Sequence, residues 1–196
     1  MIINQGIRQY GKTHNVPITL DDTLCFLLDI INKNKFKQIL EIGTAIGYGS
    51  IAMATNTTAE HIDTVEIDKD RFDMANKNIK DCELEEKIST NLSDAMEYLK
   101  SCKKKYDFIY LDGPKGQYIN YLPYAEKLLN ENGIIFADNL YFHGMVTGSY
   151  PVSRNCRSMI KGLRNYINEI TTNPKYDTVI YDIGDGVGVT KLKPLN

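Results

Sequence analysis

Short apolar segments alternate with segments of helical period along this chain, and that alternation constrains its fold more than any other feature. The strand segments are Gln38 to Gly43, His61 to Glu66, Tyr106 to Leu111 and Gly133 to Ala137, with Lys87 to Asn91 a weak third strand between the second and fourth. Between them, Tyr48 to Thr55, Asp70 to Lys80, Ser93 to Lys100 and Tyr118 to Leu129 read as helices. A helix opens the series near Thr19, which can cap it. Asp21 and Asp22 fall in its first turn, and Leu20, Leu24, Leu27, Leu28 and Ile31 lie at helical spacing. A long helix, Arg154 to Ile170, precedes two last strands, Thr178 to Tyr181 and Gly186 to Lys191, which flank the turn Gly184-Asp185-Gly186. Strands joined by helices must run parallel and be covered on both faces. The expected architecture is a single α/β domain over residues 1–196. It is a doubly wound, Rossmann-like sheet of about seven strands, mostly parallel, with a C-terminal hairpin that adds one antiparallel strand. Residues 1–18 form a leader.

Length and charge narrow the function. At 196 residues the chain has one domain's worth of core. Its 23 basic and 25 acidic side chains leave a net charge of −2, so nucleic acid would have to be met by a local patch. The four cysteines, Cys25, Cys82, Cys102 and Cys156, form no CxxC pair, which argues against a zinc knuckle or thioredoxin-like site and for reduced structural thiols. No apolar run approaches a membrane span of about 20 residues. The opening MIINQGIRQYGKTHN lacks a signal-peptide core, so a cytoplasmic protein is expected.

The first strand runs into Glu41-Ile-Gly43-Thr-Ala-Ile-Gly47-Tyr-Gly49-Ser50. Glycines at a strand-to-helix turn let backbone approach a ligand closely. The spacing is GxxxGxG and not the GxGxxG of dinucleotide sites, which counts against a nicotinamide oxidoreductase. The second strand ends in Glu66, 23 residues after Gly43. An acid there accepts hydrogen bonds from both ribose hydroxyls, although alone it would be a solvated strand-end carboxylate. Together these features resemble motif I and the following acidic loop of class I S-adenosylmethionine-dependent methyltransferases. Asp94, in Ser93-Asp94-Ala95, matches that family's adenine-contacting position and can also cap a helix. The resemblance implies a cofactor set of Glu41, Gly43, Gly47, Ser50, Glu66, Asp94, Ala95 and Asp112.

The fourth strand ends in Leu111-Asp112-Gly113-Pro114-Lys115 and the fifth in Asp138-Asn139. Two carboxylates and an amide oxygen at carboxyl ends of strands are hard ligands, suited to Mg²⁺ and not to zinc. The pattern resembles the metal-dependent O-methyltransferases of the catechol and caffeoyl-CoA group. There the residues matching Asp112, Asp138 and Asn139 bind the divalent ion, and a lysine at the place of Lys115 is the proposed general base. Asp112 and Lys115 are thus the expected catalytic pair. Partial burial and a nearby dication both favour loss of the lysine proton. The segments ILEIGTAIGYGS, LDGPKGQY, ADNLYFHGMV and YDIGDGVGVTK are similar to the bacterial tRNA 5-hydroxyuridine O-methyltransferase branch. Relatives of this kind are commonly dimers, so a homodimer is expected. The leader is short for the wider family, as is the segment Thr147 to Val152 where a substrate-facing lid is expected.

A dication at this place selects acceptors with two adjacent oxygens, which catechol and 5-hydroxyuridine share, so the site alone does not choose between them. Arg154, Arg157, Lys161 and Arg164 fall within about 80° of one helix face, uninterrupted by acid. They read as a solvated face or as an RNA phosphate track, which Arg8, Lys12 and His14 would extend. His143 and Tyr141 read first as loop packing and second as walls of a nucleobase pocket. The leading expectation is methylation of wobble 5-hydroxyuridine in the tRNA anticodon loop. The alternatives are a small catechol-like acceptor and, more remotely, a non-catalytic RNA-binding protein on this fold.

Overall fold

In the computed structural model, which describes residues 4–194, seven strands form one sheet in the order β3-β2-β1-β4-β5-β7-β6. The parallel strands are β1 (Gln38–Ile42), β2 (His61–Glu66), β3 (Ile88–Leu92), β4 (Tyr106–Leu111) and β5 (Leu129–Ala137). The hairpin strands are β6 (Tyr176–Tyr181) and β7 (Val187–Leu192), with β7 antiparallel to both β5 and β6. That arrangement agrees with the expected sheet and its single antiparallel strand. The helices are α1 (Gln5–Thr13), α2 (Asp21–Asn34), α3 (Tyr48–Asn56), α4 (Lys69–Asp81), α5 (Ala95–Ser101), α6 (Tyr118–Leu128) and α7 (Arg157–Thr172). They bury a hydrophobic cluster on each face of the sheet. One is built on Leu24, Leu27, Ile39, Phe108 and Phe136, the other on Leu40, Ile109, Tyr118, Leu163 and Tyr166. Among the described residues no disulfide forms and no helix is long and apolar enough to cross a membrane.

Several boundaries differ from the sequence expectation. The leader holds a helix, α1, which Asn4 caps through the Ile7 amide. Only Ile7 and Gly11 of α1 are buried, too few to show as an apolar period, and Arg8 ties the helix to Asp21 of α2. Thr19 does not cap α2. Leu20 holds that position without a side-chain bond, and Thr19 Oγ1 instead lies 2.9 Å from the buried Tyr110 hydroxyl. Strand β5 starts at Leu129 and not Gly133. It slips register between the partners of Tyr106 and Phe108, near Asn132, which has φ +62°. Arg154 lies outside α7, on a 3-10 turn (Arg154–Cys156).

Parallel pairing brings the site to one edge. Ile42 is in register with both Val65 and Leu111, and Leu111 with Ala137. The next residues, Gly43, Glu66, Asp112 and Asp138, therefore leave the sheet side by side. Under the loop after β1, the buried Glu41 carboxylate accepts hydrogen bonds from Thr64 Oγ1 (2.6 Å) and Ser50 Oγ (2.8 Å). Gly49 makes room for it, since a Cβ there would lie 2.4 Å from Glu41 Oε1.

Burial pushes the Glu41 carboxyl up from 4.5 to about 8, against the two hydroxyl donors that favour its charged form. The folded value lies above the unfolded one, so between those values the folded chain keeps a proton that the unfolded chain loses. Stability accordingly falls as pH rises through that window and is unaffected below it. Glu41→Gln removes the titration. In urea melts of the cofactor-free protein the variant should gain on the wild type by several kcal/mol between about pH 5 and about pH 8, since one unit is worth about 1.4 kcal/mol. Parallel pH profiles would contradict a buried proton on Glu41.

Candidate active site

A cavity of about 750 Å³ opens along the carboxyl edge of the sheet, large enough for a nucleoside-sized ligand together with a small acceptor. Gly43, Glu66, Asp94, Ala95, Asp112, Lys115, Asp138 and Asn139 all line it. Glu41 and Ser50 are buried behind the loop, bonded to each other, and Gly47 does not reach the wall. These three shape the loop from behind.

The loop is built for close approach. Gly43 has φ +106°, and a Cβ on it would lie 2.6 Å from the Asp112 carbonyl oxygen, so only glycine lets the β1 and β4 exits touch. Gly47, φ +82°, is the N-cap of α3. Glu66 does local work here as well. Its Oε2 accepts from the Ala45 amide at 2.8 Å, and its Oε1 accepts from the Ile67 and Asp68 amides at 3.0 and 2.9 Å. Three backbone donors fix the carboxylate in the wall and hold Ala45 at φ +46°. Asp94 caps α5 by accepting from the Met96 and Glu97 amides at 2.8 and 3.1 Å. It lines the cavity as well, so capping α5 leaves it within reach of a ligand.

At the other end of the cavity Asp112 and Asp138 meet. Lys115 Nζ donates to Asp112 Oδ1 at 2.5 Å and lies 5.7 Å from the Tyr118 ring centre. Asp138 is 1% exposed; its Oδ1 accepts from the Asn139 amide at 2.6 Å, and Tyr110 Oη lies 3.5 Å from its Oδ2. Burial and the charge of Asp112 push Asp138 up to about 7, while Lys115 and the Asn139 amide act the other way. Two crowded acids partly offset by one lysine make a place that a dication would relieve. Among the described residues no three His, Cys, Asp or Glu side chains gather into a metal-holding group. An ion here would be held by the Asp112 and Asp138 carboxylates and the Asn139 amide, completed by water or acceptor oxygens. That all-oxygen set fits Mg²⁺.

The turn bearing Lys115 is held by contact with α7. A Cβ on Gly162 would lie 2.3 Å from the Gly116 carbonyl oxygen, and one on Gly116 would lie 2.9 Å from the Met159 Cα. Bare backbone on both sides thus seats the lysine.

Several wall residues carry no sequence signal of their own. Pro17, Ile18, Thr19, Leu20, Arg71, Tyr121, Phe142 and Asp185 line the cavity. The leader and the hairpin turn reach it only through tertiary packing. Tyr141 packs as expected, its ring filling the space over Gly186, and His143 is largely exposed at the rim. The basic stripe divides. Arg157 and Lys161 are exposed beside a groove of about 360 Å³. Arg164 is engaged, donating to the Val146 and Met145 carbonyls at 3.1 and 3.0 Å.

An O-methyltransferase family model matches residues 3–193. The caffeoyl-CoA O-methyltransferase of Medicago sativa is 26% identical over 198 residues, covering 94% of this chain and 79% of its own length. Tapetum-specific methyltransferase 1 of Arabidopsis thaliana is 26% identical over 187 residues, covering 92% and 80%. A candidate caffeoyl-CoA O-methyltransferase from Staphylococcus aureus superposes with a TM-score of 0.89 at 30% identity, over 96% of this chain and 91% of that one. By this match along nearly its whole length, the chain belongs to the O-methyltransferase family.

Proposed function

We propose that the chain transfers a methyl group from S-adenosylmethionine to one of two adjacent oxygens of a small phenolic acceptor, with a divalent ion, Mg²⁺ by its ligand set, in the site. The observation that carries this is one continuous cavity with Glu66 and Asp94 at one end and Asp112, Lys115, Asp138 and Asn139 at the other. Relatives named for caffeoyl-CoA and for flavonoids support a phenolic acceptor over the tRNA expected first. An O-methyltransferase from Bacillus cereus with the same fold was solved with S-adenosylhomocysteine, which supports the cofactor.

The sulfonium cofactor supplies an activated methyl group, so the protein's task is to position and deprotonate the acceptor. Glu66, pinned by three amides, keeps about one of its four lone-pair sites, on Oε2, for a ribose hydroxyl. Pro17, Ile18, Leu20 and Phe142 offer apolar wall to an aromatic ring. When bound, a dication supplies positive charge that favours loss of the acceptor's hydroxyl proton. Lys115 Nζ donates to Asp112 as an ammonium. That charge is disfavoured where a dication engages Asp112, and once the lysine has given its own proton to solvent the neutral amine is placed to receive the acceptor's proton and pass it on.

Methyl transfer to a vicinal diphenol tests this directly. Asp138→Ala should lower turnover by about 100-fold or more, as expected for a misplaced acceptor, while calorimetry shows S-adenosylmethionine affinity nearly intact. Full activity in excess EDTA, or a wild-type rate in the variant, would refute the dication.

A second reading keeps RNA as the acceptor, because exposed Arg157 and Lys161 flank a groove on the helix against which the Lys115 turn packs. The double change Arg157→Ala, Lys161→Ala should then raise KM for tRNA bearing 5-hydroxyuridine. It should also reduce the salt slope by about 1 per lost charge, with the rate on the diphenol unchanged. Unaltered tRNA kinetics would remove this reading.

A further inference from the structure

The segment that follows Asp138 carries backbone strain. Asn139, Phe142 and His143 have φ of +58°, +43° and +52°, three non-glycine residues in the left-handed region within five positions, followed by Gly144 at +74°. Non-glycine residues adopt that region at a cost, least for Asn and His and most for a bulky Phe, so three of them together need support from surrounding structure. The enforcing contacts come from the turn between β6 and β7. The Leu140 amide donates to the Gly186 carbonyl and the Tyr141 amide to the Asp185 carbonyl, each at 2.9 Å. The Asp185 carboxylate then closes over the far end, its Oδ1 and Oδ2 lying 2.9 and 3.0 Å from the His143 amide nitrogen. The turn is itself pinned. A Cβ on Gly184 would strike Thr23 Oγ1 of α2 at 2.3 Å, and one on Gly186 would strike the Tyr141 ring at 2.6 Å.

Asp185 lines the cavity, and its carboxylate hydrogen-bonds the His143 amide with the exposed His143 ring nitrogen 3.9 Å away, so it acts through the segment it holds. That segment bears Asn139 at one end and the Phe142 and His143 wall at the other. We infer that Asp185 is a positioning residue. By accepting the His143 amide it keeps the strained Asn139–Gly144 segment in the one conformation that presents the Asn139 amide beside Asp112 and Asp138, and so sets the affinity of the dication site. The inference rests on the proposed metal site, and it concerns a residue outside the ligand set.

The test is Mn²⁺ binding to the acceptor-free protein, followed by calorimetry or by the spin resonance of the free ion. Asp185→Ala should weaken Mn²⁺ binding about ten-fold, with S-adenosylmethionine affinity within two-fold of wild type. Asp185→Asn keeps an acceptor oxygen and loses the charge, and it should stay within about three-fold of wild type. Glycine adopts positive φ without strain, so adding His143→Gly to Asp185→Ala should recover most of the loss. His143→Gly alone should bind Mn²⁺ at least as tightly as wild type, and together with Asp185→Asn it carries the test should Asp185→Ala fail to fold. Wild-type affinity in Asp185→Ala would overturn the inference. So would equal weakening in Asp185→Asn, which would mean that the charge alone matters, or no recovery in the double variant. A wild-type protein that binds no Mn²⁺ would overturn the metal site itself, and the role of Asp185 with it.

Discussion

Backbone contact between the exits of β1 and β4 is the constraint on which the site depends. At this point the sheet order reverses, because β2 and β3 lie to one side of β1 while β4 and β5 lie to the other. The loops leaving β1 and β4 part in opposite directions and leave a crevice, the usual ligand position in doubly wound sheets. The crevice stays narrow because Gly43 has no side chain to hold its neighbour off the Asp112 carbonyl. Any other residue would push the two loops apart and separate the Glu66 end of the cavity from the Asp112 end.

Charge is distributed unevenly around that contact. Glu66, Asp94, Asp112, Asp138 and Asp185 all lie in the cavity wall, and several are held by backbone donors. Amides and hydroxyls stabilise a carboxylate without bringing a positive charge of their own. The cavity wall is thereby left with more carboxylate than cationic charge, which suits the sulfonium and the dication of the proposed reaction. The pair of buried Asp138 and part-buried Asp112 marks where the imbalance is greatest, since among the described residues Lys115 is the one cation hydrogen-bonded to it.

Glycine packing links this chemistry to the outer helices. Gly116 and Gly162 bring the Lys115 turn onto α7, and a glycine in a helix interior costs about 1 kcal/mol relative to alanine. The same helix carries Arg157 and Lys161 on its exposed side. A ligand that grips those side chains therefore rests on the element that seats the lysine.

The sequence by itself determined a mostly parallel sheet of about seven strands with a C-terminal hairpin, and the residues at the carboxyl ends of its strands; the strand order came from the tertiary structure. The sheet and its strand ends follow from short apolar runs alternating with helices of period 3.6, a pattern written locally along the chain. Gly43, Glu66, Asp112, Lys115, Asp138 and Asn139 were legible for that reason, because a residue that ends a parallel strand lies at the ligand edge whatever its neighbours are. Helix α1 was not legible, having only Ile7 and Gly11 to bury. Nor were Thr19 and Arg164, whose polar atoms are taken by Tyr110 and by the Met145 and Val146 carbonyls, partners 91, 19 and 18 residues away. Asp185 reads as turn chemistry in sequence and becomes part of the cavity only when β7 pairs with β5. Tertiary structure decided these roles because a side chain's partner is set by which loops meet in space, and no local pattern along the chain encodes that meeting.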